Sequence, residues 1–201
     1  MSSAGVEAQT RSVEGTISSE EEVCIVDEHN IVVGSAPRHK MRAEVLPHRA
    51  SFIFTRRSTG ELLVQKRTMV KDYCPGYFDV ASGGIVGAGE SYADNARREL
   101  EEEMGITAPL SHCFTFYFEQ LEGPPTHRCR CWGDVWECTY DGELVLQEEE
   151  VESVHTMTPD EALRRAQGGE PFTPDSTAAL RQYMRFCAER EGDTQGPGAG
   201  D

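Results

Sequence analysis

The stretch "GIVGAGESYADNARRELEEEMGI", residues 84–106, decides how this chain is read. It opens on a glycine-rich turn, passes Ser91 with Asp94 three residues on, and closes on Met104 followed by Gly105. A serine suits the N-cap of a helix, and a glycine suits the left-handed residue that ends one. The spacing predicts a helix over about 91–104. At about 100° per residue, with Glu99 set to zero, Glu102 falls at about −60° and Glu103 at about +40°. Ala93, Ala96, Leu100 and Met104 fall between about +60° and +140°, the core stripe, while Glu101 at about 200° faces water. Three carboxylates therefore share one edge beside the apolar face. Like charges at this spacing oppose a helix, so the edge calls for a compensating cation. Hard divalent ions take carboxylate oxygens, and Mg²⁺ is commonly held by a few carboxylates together with substrate phosphates. Arg98, four residues before Glu102, can hold a carboxylate in place. The competing reading is a solvated acidic face.

Composition narrows the classes. The chain has 201 residues, 38% hydrophobic and 27% charged, as expected of one soluble domain with a real core. A formal net charge of −16 argues against nucleic acid and anionic membrane as partners, though not against a small phosphorylated ligand. No apolar run approaches the roughly 20 residues of a membrane span. Residues 1–20 carry no apolar leader, and the seven cysteines are irregularly spaced, so a cytoplasmic protein with reduced thiols is expected.

The expected organisation is a disordered tail over 1–20, one domain over 21–190 and a flexible Gly-rich tail over 191–201. Residues 22–27 and 31–36 read as one hairpin, and 49–56 with 61–67 as a second. Short strands are expected at 77–82, 113–119, 128–140 and 151–157, with Phe114, Phe116 and Phe118 alternating in a half-buried strand. Thr158-Pro159-Asp160-Glu161 and Thr173-Pro174-Asp175 each announce a helix. Interleaved strands and helices give an α/β class.

At every fixed position the opening stretch matches the Nudix box: Gly84, Glu90, Arg98, Glu99, Leu100, Glu102, Glu103, Gly105 and Ile106. The chain is therefore identified as resembling the Nudix hydrolase superfamily. That resemblance implies an α/β/α sandwich around a mixed sheet, and cleavage of a diphosphate joined to some other group. It implies Mg²⁺ or Mn²⁺ held by Glu99, Glu102 and Glu103, with one of them serving as base. Gly83 would contribute backbone to the metal site, Arg98 would act in catalysis, and Gly84, Glu90 and Gly105 would shape the box. The partner implied is a small diphosphate metabolite, and a homodimer stays open because many relatives dimerise.

Beyond the box, "VDEHNIVVGSAPRHKMR", "HRASFIF", "LLVQKRTMVKDYCPGYFDVASGG", "LQEEEVESVHTMTPDEA" and "PFTPDS" resemble the isopentenyl-diphosphate-isomerase-like branch. True isomerases place a cysteine and then a histidine after a "PGYW"-like turn. Those positions here are Gly83 and Ile85, and Cys74 precedes the turn. The isomerase "WGEHE" stretch is only partly echoed, by Trp132-Gly133-Asp134 before Val135 and Trp136. The hydrolase reading is thus preferred to an isomerase, and to a non-catalytic binding module, which would have lost box carboxylates. Lys66, Arg67 and Lys71 are candidate phosphate contacts, and Glu149 and Glu150, following Glu148, candidate late carboxylates. His127, Cys129, Cys131 and Cys138 lack zinc spacing and read as buried strand residues, with Trp132 and Trp136 on the sheet.

Overall fold

The structure, a computed structural model, describes residues 5–11 and 19–194. A five-strand path forms the spine of the main sheet, in the order Val151–Met157 (β10), Leu62–Arg67 (β5), His48–Arg56 (β4), Glu22–Val26 (β2) and Val32–Pro37 (β3). Phe78–Asp79 (β6) adds to β5. Cys129–Thr139 (β8) pairs with β4 in parallel and with Ser111–Gln120 (β7) antiparallel, so the sheet is mixed. The first hairpin is as expected: Asp27 Oδ1 accepts the N–H groups of His29 and Ile31 at 2.8 and 2.9 Å, and Asn30 takes a positive φ of 61°. Arg38–Glu44 (α1), a charged turn of helix with only Met41 buried, links β3 to β4.

The second expected hairpin is splayed. β4 and β5 share one registered pair, Arg56 with Leu62. The rest of that edge of β4 is taken by the glycine-rich loop: Ser51 N–H bonds to Gly84 O at 2.9 Å, Ile53 N–H to Ser82 O at 2.8 Å, and Val86 N–H to Arg49 O at 2.9 Å. The loop satisfies backbone groups that a hairpin partner would otherwise have met.

Helices cover both faces. Tyr92–Met104 (α2) buries Ala96, Leu100 and Met104 against Ile53, Leu63 and Val154. Pro159–Gln167 (α3) and Pro174–Thr194 (α4) bury Ala162, Leu180 and Tyr183 against Phe52, Phe54 and Val64, with Phe54 and Tyr183 stacked at 4.3 Å. The result is an α/β/α sandwich. Thr158 Oγ1 accepts the Glu161 N–H at 3.2 Å, the cap foreseen for α3.

Both tail boundaries are corrected. Residues Ala8–Arg11 (β1) form a strand parallel to Leu144–Gln147 (β9), Val6 N–H bonds to Val154 O at 2.8 Å, and Val6 and Ala8 pack on the α2 side of the core. Two small apolar residues in a polar stretch are too weak a pattern to announce a strand, but docking on an existing edge needs little more. At the other end α4 continues to Thr194. Residues 1–4, 12–18 and 195–201 of the expected tails lie outside the described residues. No described helix is long and apolar enough to cross a membrane.

Candidate active site

Helix α2 starts and stops where its sequence demands. Ser91 Oγ accepts the Asp94 N–H at 3.1 Å, and Gly105 takes φ 67° with its N–H bonded to Glu101 O at 2.9 Å. Glu101 is exposed. The other glutamates grade inward as the wheel orders them: the Glu102 side chain is 45% exposed, Glu99 14% and Glu103 3%. Glu103, nearest the core stripe, is the most enclosed.

Arg98 is the hub. Its Nε and Nη2 bond to the two oxygens of Glu90 at 3.0 and 3.2 Å, and its Nη1 reaches Glu102 at 2.9 Å and Glu99 at 3.0 Å. Glu90 also accepts the Gly87 N–H and Asn95 Nδ2, each at 3.0 Å. Burial pushes the Glu90 carboxyl up, but the bonds from Arg98, Gly87 and Asn95 outweigh it and hold the group below the usual range. Glu90 thus anchors the guanidinium, which in turn orients the other carboxylates.

Glu103 Oε2 accepts Gln65 Nε2 at 2.9 Å and the Gly83 N–H at 3.1 Å. Lys71 stands 3.6 Å from its Oε1 and also pairs with Glu150. Burial raises the Glu103 carboxyl although Lys71 pulls it down, and burial followed by repulsion from Glu103 pushes Glu99 up to about 8. Gly84 lies so close to Glu99 that a Cβ there would sit 2.5 Å from its carboxyl carbon. Two buried, mutually repelling carboxylates against bare backbone form an oxygen donor set suited to Mg²⁺ or Mn²⁺. Among the described residues no three His, Cys, Asp or Glu side chains already converge as a shell, and Lys71 and Arg98 pair with these carboxylates.

A cavity of about 400 Å³ opens beside these groups. It is lined by Glu99, Glu102, Ser82 and Gly83 on the α2 side, and by Phe52, Tyr73, Cys129 and Asp175 on the α4 side. It therefore runs through the gap where β4 and β5 part. Burial, then Cys129 and Asp79, push the Asp175 carboxyl up to about 7.

The residues proposed outside the box meet different fates. Arg67 lines the cavity but its guanidinium is committed to Tyr73 O, at 2.9 and 3.1 Å, and to Asp79 at 3.2 Å. Lys71 lines it too, held by Glu150 and Glu103. Neither presents a free cation to a phosphate. Lys66 does not line the cavity: strand alternation turns it to the other face, where its Nζ lies 4.5 Å from the Phe78 ring centre and donates to Gly76 O. Glu150 reaches the cavity; Glu149 does not, and its backbone carbonyl accepts the Thr68 hydroxyl at 2.7 Å. Cys129, Cys131 and Cys138 are buried free thiols, as expected for strand cysteines, and His127 packs on Tyr77 at 4.9 Å. Trp132 packs against Tyr117 and Trp136 against His112.

Sequence reasoning missed Arg11. From β1 its guanidinium bonds to Glu102 O at 3.1 Å and to Glu101 O, capping the C-terminus of α2 beneath the glutamates. Arg11→Ala is expected to lower stability by about 1 kcal/mol, seen as a lower urea midpoint at unchanged slope. An unchanged midpoint would show that the cap contributes nothing.

A glycine loop laid on a central strand, followed by a helix carrying three carboxylates and an arginine hub, defines an acidic centre of the hydrolase type in an α/β/α sandwich. The NUDIX domain family matches residues 46–176. The chain is 42% identical over 176 residues to "Uncharacterized Nudix hydrolase YfcD" of Escherichia coli K12, covering 87% of this chain and 93% of that protein. It is 37% identical over 188 residues to "Uncharacterized Nudix hydrolase SCO1686" of Streptomyces coelicolor, covering 93% and 99%. The crystal structure of DR0079 from Deinococcus radiodurans superposes with a TM-score of 0.69 at 26% identity, covering 81% of this chain and 98% of that one. The chain belongs to the Nudix family of hydrolases.

Proposed function

We propose that the protein is a divalent-metal-dependent hydrolase that cleaves a phosphoanhydride bond in a soluble diphosphate-linked metabolite of the nucleoside diphosphate-X type. The observation that carries this reading is the pair Glu99 and Glu102, organised by Arg98 and lining the cavity, with buried Glu103 held beside them by Gln65 and the Gly83 N–H. Glu99, Glu102 and Glu103 would hold Mg²⁺ or Mn²⁺. Such an ion supplies charge neutralisation of the diphosphate and Lewis acidity toward phosphorus. Gly83 and Gly84 keep the approach to these carboxylates free of side chains. Glu102, the most accessible of the three, takes the proton of the attacking water while Arg98 holds its other oxygen.

Support for hydrolysis over isomerisation comes from Gly83. A thiol at this position would need a Cβ, and a Cβ there would collide with the backbone oxygen of Ser51. All box carboxylates are present, which favours catalysis over simple binding.

The test is a panel of nucleoside diphosphate sugars, dinucleoside polyphosphates and prenyl diphosphates with Mg²⁺ or Mn²⁺, read by phosphate release after phosphatase coupling. Turnover of at least one nucleoside diphosphate-X compound is expected, and Glu102→Gln should reduce it about 10²–10⁴-fold. Conversion of isopentenyl to dimethylallyl diphosphate without phosphate release would overturn the reading.

A further inference from the structure

The sheet delivers Lys71 to the acidic centre from outside the glutamate helix. Lys71 sits in the turn that leaves β5, and Glu150 in the turn that enters β10. Val151 of β10 is in register with Arg67 of β5, so the two turns meet, and the Thr68 N–H bonds to Glu150 O at 3.1 Å. The Lys71 side chain is 5% exposed, with its Nζ 3.6 Å from Glu103 Oε1 and paired with Glu150 Oε2. A buried ammonium is costly unless it is paired, and this one has two carboxylates. Glu103 is kept in place for it, because Gln65 and the Gly83 N–H hold the other oxygen, Oε2.

The carboxylates of the centre divide between two cations. Arg98 pairs with Glu90, Glu99 and Glu102, and Lys71 with Glu103 and Glu150. Arg67, another cation lining the cavity, is spent on Asp79. Among the described residues, five formal negative charges therefore meet two positive ones, which leaves three. One divalent ion reduces the remainder to one, and a second would overshoot it. Without Lys71 four charges remain, the charge of two divalent ions. Chemistry agrees with the count. An ammonium is a compact point charge that takes oxygen partners, as a hard divalent ion does. Glu103 Oε1 and Glu150 Oε2 are such oxygens, and Lys71 already reaches both.

We propose that Lys71 is a built-in counter-ion, holding between Glu103 and Glu150 the position of a second cation, and that it limits the centre to one divalent ion. The inference rests on the hydrolase reading for the first ion, but it concerns occupancy and is separable from turnover. Lys71 is in this sense a positioning residue: it fixes Glu103 and Glu150 by its charge, and a tethered cation is present whatever the metal concentration.

The test counts Mn²⁺ bound per full-length chain, from the loss of the free-ion paramagnetic signal during titration. Wild type is expected to take one ion and Lys71→Met two. Lys71→Arg, which keeps the charge, should stay at one, and adding Glu150→Gln to Lys71→Met should return the count to one. Thermal midpoints report the same difference independently of the signal, since each bound ion adds its own dependence on metal concentration. The midpoint of Lys71→Met should therefore rise about twice as steeply with the logarithm of Mn²⁺ concentration as that of wild type. Lys71→Met leaves two buried carboxylates without their partner, so its folding is checked in Mn²⁺, where the second ion restores the charge. Two ions in wild type overturn the proposal whatever the variants do, and so does a single ion in folded Lys71→Met. Absence of turnover on every diphosphate, with the change from one ion to two intact, would instead remove the hydrolase reading and leave the counter-ion role standing.

Discussion

Glu99→Gln is expected to abolish most hydrolysis while making the metal-free protein more stable at high pH. The carboxylate is 14% exposed and its proton is held up to about 8 by burial and by Glu103. A carboxyl whose folded pKa is raised contributes stability that is complete below its unfolded value of about 4.5 and is lost as pH rises through about 8. At pH 5 wild type and Glu99→Gln should therefore have the same urea midpoint in EDTA. At pH 9 the amide, neutral in the same pocket, should be ahead by roughly 2 kcal/mol, since Glu103 and Glu150 keep part of the repulsion. Turnover should fall about 10²–10³-fold, because an amide gives a hard cation less charge than a carboxylate and stabilises less of the reacting diphosphate. Such opposition between stability and activity marks a group kept for chemistry. Identical midpoints at pH 9 would mean that Glu99 carries no buried charge, and the role given to the Gly84 contact would go with it.

The helix that bears this residue was legible because each of its signals is local. Ser91, Gly105 and the apolar stripe of Ala96, Leu100 and Met104 act within a few residues, and the same geometry ranks Glu101, Glu102 and Glu103 by depth. The splay of β4 from β5 was not legible, because a four-residue turn between two apolar strands specifies a hairpin locally. The competitor that wins, residues 82–86 lying along β4, is selected only in three dimensions. Arg11 was hidden for a related reason: an arginine in a polar stretch carries no sign that helix carbonyls lie within reach. Lys66, Arg67 and Lys71 read in sequence as candidate phosphate contacts, yet strand alternation sends Lys66 to the far face, and buried acids pair with the other two. A cluster of cations in sequence says nothing about which of them are already neutralised.

Gly83→Ala is expected to cost more than any other single change in the loop, and Gly84→Ala to cost far less while still harming the site. Gly83 has φ 137°, in the region side chains rarely adopt, and a Cβ there would be driven into the carbonyl of Ser51. Neither atom can turn aside. Ser51 N–H is bonded to Gly84 O at 2.9 Å and Ile53 N–H to Ser82 O at 2.8 Å, so relief means parting the loop from β4. Backbone strain together with the lost loop–strand bonds should lower stability by about 3–5 kcal/mol. The Gly83 N–H would also withdraw from Glu103 Oε2, leaving a buried carboxylate short of a donor. At Gly84 the obstacle is the Glu99 carboxyl, the end of a side chain that can rotate away. Its expected cost is about 1–2 kcal/mol, the size of a modest overpacking, with Mn²⁺ affinity, followed by paramagnetic resonance, weakened about 10- to 100-fold. The two alanines thus separate the loop's tasks: the first glycine lets the loop lie on β4, and the second leaves room for a carboxylate. If Gly83→Ala melted within a few degrees of wild type, the loop would not be fixed by its contact with β4, and the placement of Glu103 would need another cause.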